Sequence, residues 1–103
     1  MGRAQPLVPT IDGFVHEPAR LRLLVFLSVL KRADFVYLLR QSGLSRGNLS
    51  AQMSKLSDAG LVLIEKTLVD NKPRTFYQLT AEGRSSLRAY KRDMTLLMEA
   101  LPD

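Results

Sequence analysis

The stretch from residue 43 to residue 61 constrains the fold most, because it contains a helix start, a helical period and a stop. It reads GLSRGNLSAQMSKLSDAGL. Ser45 is a favourable N-cap, since its hydroxyl can accept from a free backbone amide of the first turn. Gly60 suits the left-handed conformation that ends many helices. Between these signals, three apolar residues at helical spacing predict one narrow apolar face: Leu49, Met53 and Leu56.

The remaining positions of this helix carry small, amide-bearing or basic side chains. Arginine can pair with guanine, asparagine or glutamine with adenine, and small residues let a helix approach a groove closely. A solvated surface helix more often carries acid–base pairs, and the single acid here is Asp58 at the far end. The pattern favours a DNA-reading helix over a merely polar surface. The candidate DNA contacts on it are Ser45, Arg46, Asn48, Ser50, Gln52 and Lys55.

A shorter helix is predicted directly before this one. Asp34 is its N-cap, Phe35, Leu38 and Leu39 are its apolar residues, and it ends near Gly43. A short helix, a turn and a longer helix form the helix-turn-helix layout, in which the first helix braces the second in the major groove. Many purely structural helix pairs share this pattern.

The hydrophobic period changes from 3.6 to 2 after Gly60, which predicts a strand over residues 61–69. Residues 70–74, DNKPR, are predicted as a turn, because Asp and Asn suit turns and proline lacks the amide that a central strand needs. Residues 75–79 are the predicted returning strand. The two cations of this hairpin, Lys72 and Arg74, are interpreted as DNA contacts, with a solubilising hairpin tip as the alternative.

Two further helices flank this part of the chain. The first opens at Glu17 and Pro18 and is apolar on most sides, so it must be covered by its own chain or by a second subunit. The last begins at Thr80, runs to about Leu101 and carries an apolar seam with 3-4 spacing, typical of core or of a subunit interface. We predict a homodimer interface that includes Leu23, Phe26, Val29, Tyr90, Met94, Leu97 and Leu101.

Composition narrows the classes of function. A formal charge of +5 favours a polyanionic partner. The absence of cysteine excludes disulfides, thiolate zinc sites and cysteine nucleophiles. His16 is the only histidine and has no partner cluster near it, so we expect a capping or packing role and no metal or cofactor.

The chain is expected to be one domain with an N-terminal extension. Residues 1–13 contain Pro6, Pro9 and Gly13 without a clear period and are predicted to form an arm, and residues 14–103 form the domain. The apolar stretch 21–30 is interrupted by charge and is too short to span a bilayer. No apolar signal segment is recognised at the N-terminus, so a cytoplasmic location without a membrane partner is expected.

The order of elements resembles the winged helix-turn-helix of small prokaryotic transcriptional regulators of the MarR/ArsR-like group. The residues that carry the resemblance are HEPARLRLL (16–24), GLSRGNLSAQMSKLSDAGLV (43–62) and KPRTFYQLTAEGR (72–84). It implies a mainly α fold with a small β-hairpin and homodimers on palindromic operators. The helix at 45–58 would then be the recognition helix, and the hairpin would be a wing near the backbone or minor groove.

Two other classes of function compete with a DNA-binding regulator. A winged-helix module that binds protein and no nucleic acid is the main alternative, but such helices tend to lose the basic and amide groups that this one keeps. An enzyme is disfavoured, since no Ser–His–Asp order, glycine-rich phosphate loop or close carboxylate pair is present. A small-molecule effector between subunits stays open, without a residue pattern to support it.

Overall fold

The computed structural model describes residues 8–103 and consists, over that range, of four helices and a three-stranded antiparallel sheet. The predicted fold class, mainly α with a small β-hairpin and a long C-terminal helix, is confirmed. Most of the predicted arm, residues 1–7 of 1–13, lies outside the described residues. The elements are α1 Pro18–Val29, β1 Ala33–Asp34, α2 Phe35–Ser42, α3 Arg46–Asp58, β2 Val62–Val69, β3 Lys72–Leu79 and α4 Ala81–Glu99.

Each helix begins at a side chain that accepts hydrogen bonds from free amides of its first turn. These contacts satisfy donors that would otherwise have no intrahelical partner, which fixes where each helix starts. All four predicted starts are confirmed. The capping residues are Glu17 for α1, Asp34 for α2, Ser45 for α3 and Thr80 for α4.

Two glycines in left-handed conformations flank α3. Gly43, with φ of 71°, turns the chain from α2 into α3. Gly60, with φ of 80°, ends α3 as predicted, and the Leu61 amide returns to the Leu56 carbonyl at 2.9 Å. Both ends of α3 are therefore fixed by local backbone geometry.

The β2–β3 hairpin, called the wing below, has a tighter turn than predicted. Asp70 and Asn71 both have positive φ, 52° and 62°, as in the two-residue turns that match strand twist. Lys72, Pro73 and Arg74 lie in β3, so their assignment to the turn was wrong. Proline is tolerated there because β1 pairs only with residues 76 and 77, which leaves position 73 with a single neighbouring strand.

Strand β1 was not predicted. It consists of Ala33 and Asp34, which pair with Tyr77 and Phe76 of β3 and make β3 the central strand of the order β1-β3-β2. A strand of two residues has no measurable period, and its partner lies more than forty positions away along the chain. It ties the start of α2 to the base of the wing.

Helix α1 crosses the core with one side buried and the other exposed. Leu23, Leu24 and Leu27 are completely buried, whereas Val25 and Val29 are 46% and 78% exposed. The prediction that Leu23 belongs to a subunit interface was therefore wrong, because it faces the core of its own chain. The core is formed mainly by Val15, Leu23, Leu24, Leu27, Leu38, Leu49, Met53, Leu56 and Val62.

Tyr90 of α4 is a second predicted interface residue that the chain buries itself. It is 8% exposed, and its hydroxyl lies 2.7 Å from Nδ1 of His16. A buried tyrosine usually finds a partner for its hydroxyl, and His16 fills that role in keeping with its predicted packing function.

No helix within residues 8–103 has the length and apolar character needed to cross a membrane.

Candidate nucleic-acid interface

Helix α3 presents a continuous exposed face opposite its core contacts. Leu49, Met53 and Leu56 are buried beneath it. Gly47, in the first turn, has open space where a side chain would be. Among the predicted contacts, those that lie exposed on this helix or at its cap are Ser45, Arg46, Asn48, Ser50 and Lys55.

Arg46 and Asn48 lie in the first turn of α3, the part of a recognition helix that usually contacts base edges. The Arg46 guanidinium lies 5.7 Å from the ring centroid of Phe35 in α2, a distance typical of a cation–π contact. The backbone amide of Asn48 donates to Oγ of Ser45 at 3.1 Å. Both side chains therefore start from a backbone that the cap holds in place.

Gln52 does not lie on the exposed face, so its predicted outward position was wrong. It is 8% exposed, its Oε1 accepts from Nη1 of Arg20 at 3.1 Å, and its Nε2 donates to Oδ1 of Asn48 at 3.3 Å. With Leu49, Met53 and Leu56 it completes the i, i+3, i+4, i+7 pattern of a core-facing stripe. Its spacing indicated burial, whereas its residue type suggested exposure.

Arg20 is the residue of this site that the sequence interpretation missed. Its side chain is 14% exposed, its Nε donates to the Phe14 carbonyl at 2.7 Å, and its guanidinium lies 4.5 Å from the Phe14 ring centroid. It too occupies a core-facing position, since the buried leucines of α1 follow it at i+3, i+4 and i+7. A hydrogen-bonded chain thus runs from α1 through Gln52 to the exposed Asn48.

The wing carries the other predicted DNA contacts. Lys72 is exposed near the tip, whereas Arg74 is half exposed and donates from Nη1 to Oδ2 of Asp34 at 3.0 Å. Leu68 is also 66% exposed, so the wing is not purely polar. Beyond Ile64 the side chains of β2 are all exposed, which shows that the hairpin projects away from the core.

The fold brings the wing next to the N-terminus of α3. An open notch between them has arginines from both elements in its walls, together with the first turn of α2. This places Arg46 of α3 and Arg74 of the wing on one side of the molecule. The lining residues are Asp34, Phe35, Val36, Arg46, Pro73, Arg74 and Thr75.

Two groups in the described range have shifted pKa values. The pKa of Glu17 is lowered chiefly because the backbone amide of Arg20 donates to its carboxylate, with partial burial acting in the opposite direction. Burial raises the pKa of the Tyr77 hydroxyl. Within residues 8–103 no group of three or more His, Cys, Asp or Glu side chains is arranged to hold a metal ion.

A second surface lies between α1 and α4. It is an apolar groove of about 890 Å³, and of the predicted interface residues only Tyr90 and Met94 line it. Phe26 and Leu97 are half-buried, and Val29 and Leu101 are largely exposed outside it. The groove residues that were not predicted include Leu21, Val25, Leu87 and Met98.

Residues 19–98 match the family model of the winged helix DNA-binding domain. An uncharacterised protein of Methanocaldococcus jannaschii is 30% identical over 71 residues, which are 69% of this chain and 77% of that protein.

Solved structures give the same picture. A transcriptional regulator homologue from Pyrococcus horikoshii matches with a TM-score of 0.82 and 26% identity, covering 87% of this chain and 89% of that one. A mutant MarR from E. coli, complexed with operator DNA, shares the fold with a TM-score of 0.65 and 19% identity, over 79% of this chain and 59% of that one.

These comparisons agree with the geometry of α3 and the wing. The family match extends from α1 into the last turn of α4. The fold is that of DNA-binding transcriptional regulators rather than of enzymes, and the predicted resemblance is confirmed. The chain belongs to the winged helix DNA-binding domain family.

Proposed function

We propose that this protein is a transcriptional regulator that binds specific double-stranded DNA sites as a homodimer. In this proposal α3 enters the major groove and the wing lies on the backbone or in the minor groove. The regulators of known structure that share the fold support the general class. The mode of binding rests on the residues of this chain.

The observation that carries the proposal is the exposed face of α3. Arg46 and Asn48 offer hydrogen-bonding groups suited to base edges, and Lys55 adds a cation toward the end of the helix. The positions between them are small, which allows the helix backbone to approach the floor of a groove. The small residues are Gly47, Ser50, Ala51 and Ser54.

The wing supplies contacts of a second kind. Lys66 and Lys72 are exposed along the hairpin, and Arg74 of β3 lines the notch beside α3. Basic side chains on a projecting hairpin suit phosphate oxygens, which position a protein on the duplex without reading sequence. The formal charge of +5 favours the same polyanionic partner.

The groove between α1 and α4 supports the homodimer. Val25 and Met98 line it and are 46% and 55% exposed in the single chain. Contiguous exposed apolar surface of this kind marks interaction sites on soluble proteins. A twofold pair would place two α3 helices on half-sites about 34–36 Å apart.

The proposal is tested by selecting duplexes from a randomised pool and titrating the selected and scrambled duplexes over a range of salt concentrations. We expect enrichment of a two-part site and a binding constant that falls steeply with salt, since phosphate contacts release counterions. An Arg92→Gln variant is the control for loss of one positive charge, because Arg92 lies on α4 and is 70% exposed. It should still bind the selected duplex. If no duplex is retained even at low salt, the protein-binding alternative replaces this proposal.

A further inference from the structure

We infer that Arg20 and Gln52 hold the side-chain amide of Asn48 so that its NH₂ group faces the DNA, and that Asn48 therefore selects guanine. Arg20 and Gln52 act in this as positioning residues, and only Asn48 touches the base. The inference rests on the proposed function, because it assumes that the exposed face of α3 meets base edges.

The orientation of both amides follows from the chemistry of arginine. A guanidinium has only hydrogen-bond donors, so the atom of Gln52 that lies 3.1 Å from Nη1 of Arg20 must be its oxygen. The nitrogen of Gln52 is then left to face Asn48. Because that nitrogen can only donate, Asn48 must offer its Oδ1, at 3.3 Å.

Arg20 is held firmly enough to impose this order. Its Nε donates to the carbonyl of Phe14 at 2.7 Å, its guanidinium stacks on the Phe14 ring, and Glu17 lies 3.9 Å away. Its side chain is only 14% exposed. A buried guanidinium fixed by several partners cannot rotate without leaving polar groups unpaired, which is costly.

The consequence for DNA is a preference among bases. The two amide atoms of Asn48 diverge from one carbon, so an oxygen held toward Gln52 leaves the nitrogen on the outward side. Guanine presents two adjacent acceptors in the major groove, N7 and O6, whereas adenine presents one acceptor and one donor, and cytosine a donor. The familiar pairing of asparagine with adenine needs the oxygen and the nitrogen of the amide to face the base together, whereas Gln52 holds the oxygen of Asn48 on the inward side.

One isosteric substitution should reverse the arrangement. In Gln52→Glu the carboxylate keeps its hydrogen bond with Arg20 but can no longer donate to Asn48. It can only accept from Asn48, which draws the NH₂ group inward and turns the oxygen toward the DNA. The variant keeps the shape and the partner of the wild-type residue. Its added negative charge should weaken binding to all duplexes alike, so the ratio between duplexes is the proper readout.

The experiment begins with selection of duplexes by the wild-type protein and by Asn48→Ala, which identifies the base that Asn48 reads. Duplexes with guanine, adenine or cytosine at that position are then titrated against the wild type, Gln52→Glu and Arg20→Met. Arg22→Met serves as the control, since Arg22 lies on the same helix but donates to the Ser42 carbonyl. We expect the wild type and Arg22→Met to prefer guanine over adenine by on the order of tenfold.

In Gln52→Glu that preference should be lost or reversed, and in Arg20→Met it should fall toward equality. A uniform loss of affinity with an unchanged ratio would show that the two residues are only structural and would overturn the inference. A wild-type preference for adenine, or a lack of any base preference that depends on Asn48, would overturn it as well. Failure to enrich any duplex would instead reject the proposed function, so the two failures are distinguishable.

A measurement without DNA keeps the inference testable if a variant folds poorly. The side-chain NH₂ protons of Gln52 should exchange slowly with solvent in the wild-type protein, because they are buried and donate to Asn48. In Arg22→Met the slow exchange should persist, and in Arg20→Met it should be lost. Rapid exchange in the wild type would contradict the hydrogen-bonded chain itself.

Discussion

Asp34 and Arg74 join the start of α2 to strand β3 of the wing through an ion pair with a separation of 3.0 Å. The other carboxylate oxygen of Asp34 accepts from the Tyr37 amide at 2.7 Å and so caps α2. One side chain therefore serves both the helix-turn-helix and the wing. This double use ties the availability of Arg74 for DNA to the charge on Asp34.

The first prediction concerns this pair and the wing. Replacing Lys72 and Arg74 together by Gln should weaken binding to all duplexes and reduce the salt slope by roughly 0.9 for each lost phosphate contact. Asp34→Asn should act in the opposite direction, because an asparagine still caps α2 but releases Arg74. Binding measured against salt concentration checks both effects. An unchanged slope in the double variant would mean that the wing does not contact DNA.

The second prediction concerns base reading by α3. Arg46→Ala and Asn48→Ala should each cost about 1–3 kcal/mol of binding free energy on the selected site, with much smaller effects on scrambled DNA. The reason is that both side chains lie exposed in the first turn of α3. Ser57→Ala, at the far end of the helix, is the control. An equal loss on both duplexes would assign these residues to phosphate contacts instead.

Helix starts and stops could be predicted from the sequence because they depend on interactions between near neighbours. Ser45 needs only an amide three residues on, and Gly60 needs only its own left-handed conformation. Strand β1 was not predicted because its pairing partner, β3, is distant in sequence. The length of β3 was underestimated for a related reason. Proline is excluded only from a strand that pairs on both sides, and Pro73 has a neighbouring strand on one side.

The interface residues were harder to predict because core and groove differ only in tertiary packing. Leu23 and Val25 are both apolar residues of α1, yet the first is completely buried and the second is 46% exposed. Arg20 and Gln52 were difficult to predict for the opposite reason, because they are polar residues that lie on core-facing sides of their helices. Their spacing placed them on buried faces, but polar side chains are usually buried only when a partner is available, and each is the other's partner.

The third prediction uses two helix glycines that differ in their surroundings. A Cβ at Gly83 would overlap the backbone carbonyl of Leu61, which already accepts from the Thr80 amide, so that carbonyl is not free to move. Gly83→Ala should therefore lower the free energy of unfolding by about 1–3 kcal/mol. Gly47→Ala, with open space around it, should raise the same quantity by up to about 1 kcal/mol. Urea denaturation measures the free energy of unfolding of both variants. Changes of the same sign in the two variants would contradict the packing argument.

The fourth prediction concerns pH and the cap of α1. The pKa of Glu17 is lowered in the folded state, mainly by the Arg20 amide, so the ionised form stabilises the fold. This contribution is present above the pKa of the unfolded chain and is lost as the pH falls through the folded value. Glu17→Gln keeps an accepting oxygen without the charge. Its melting temperature should lie below that of the wild type at pH 7, and the gap should close as the pH falls through the lowered pKa of Glu17. A gap that stays constant with pH would exclude the ionised cap as its cause.

The last prediction is that the groove between α1 and α4 is the twofold interface of a dimer. Val25→Lys would add a cation from each subunit to a groove that Arg84, Arg88 and Lys91 already line, because a twofold contact repeats every residue. Burying such ions should disfavour association by several kcal/mol while each domain stays folded, since Val25 is already 46% exposed in the single chain. Leu63→Lys is the matched control, because Leu63 is similarly exposed, at 52%, but lies on β2 away from the groove. Sedimentation at micromolar concentration should show dimers for the wild type and the control and monomers for Val25→Lys. Loss of pairing should also remove the preference for two-part sites over single half-sites. A wild-type protein that sediments as a monomer and occupies the two half-sites independently would contradict this assignment.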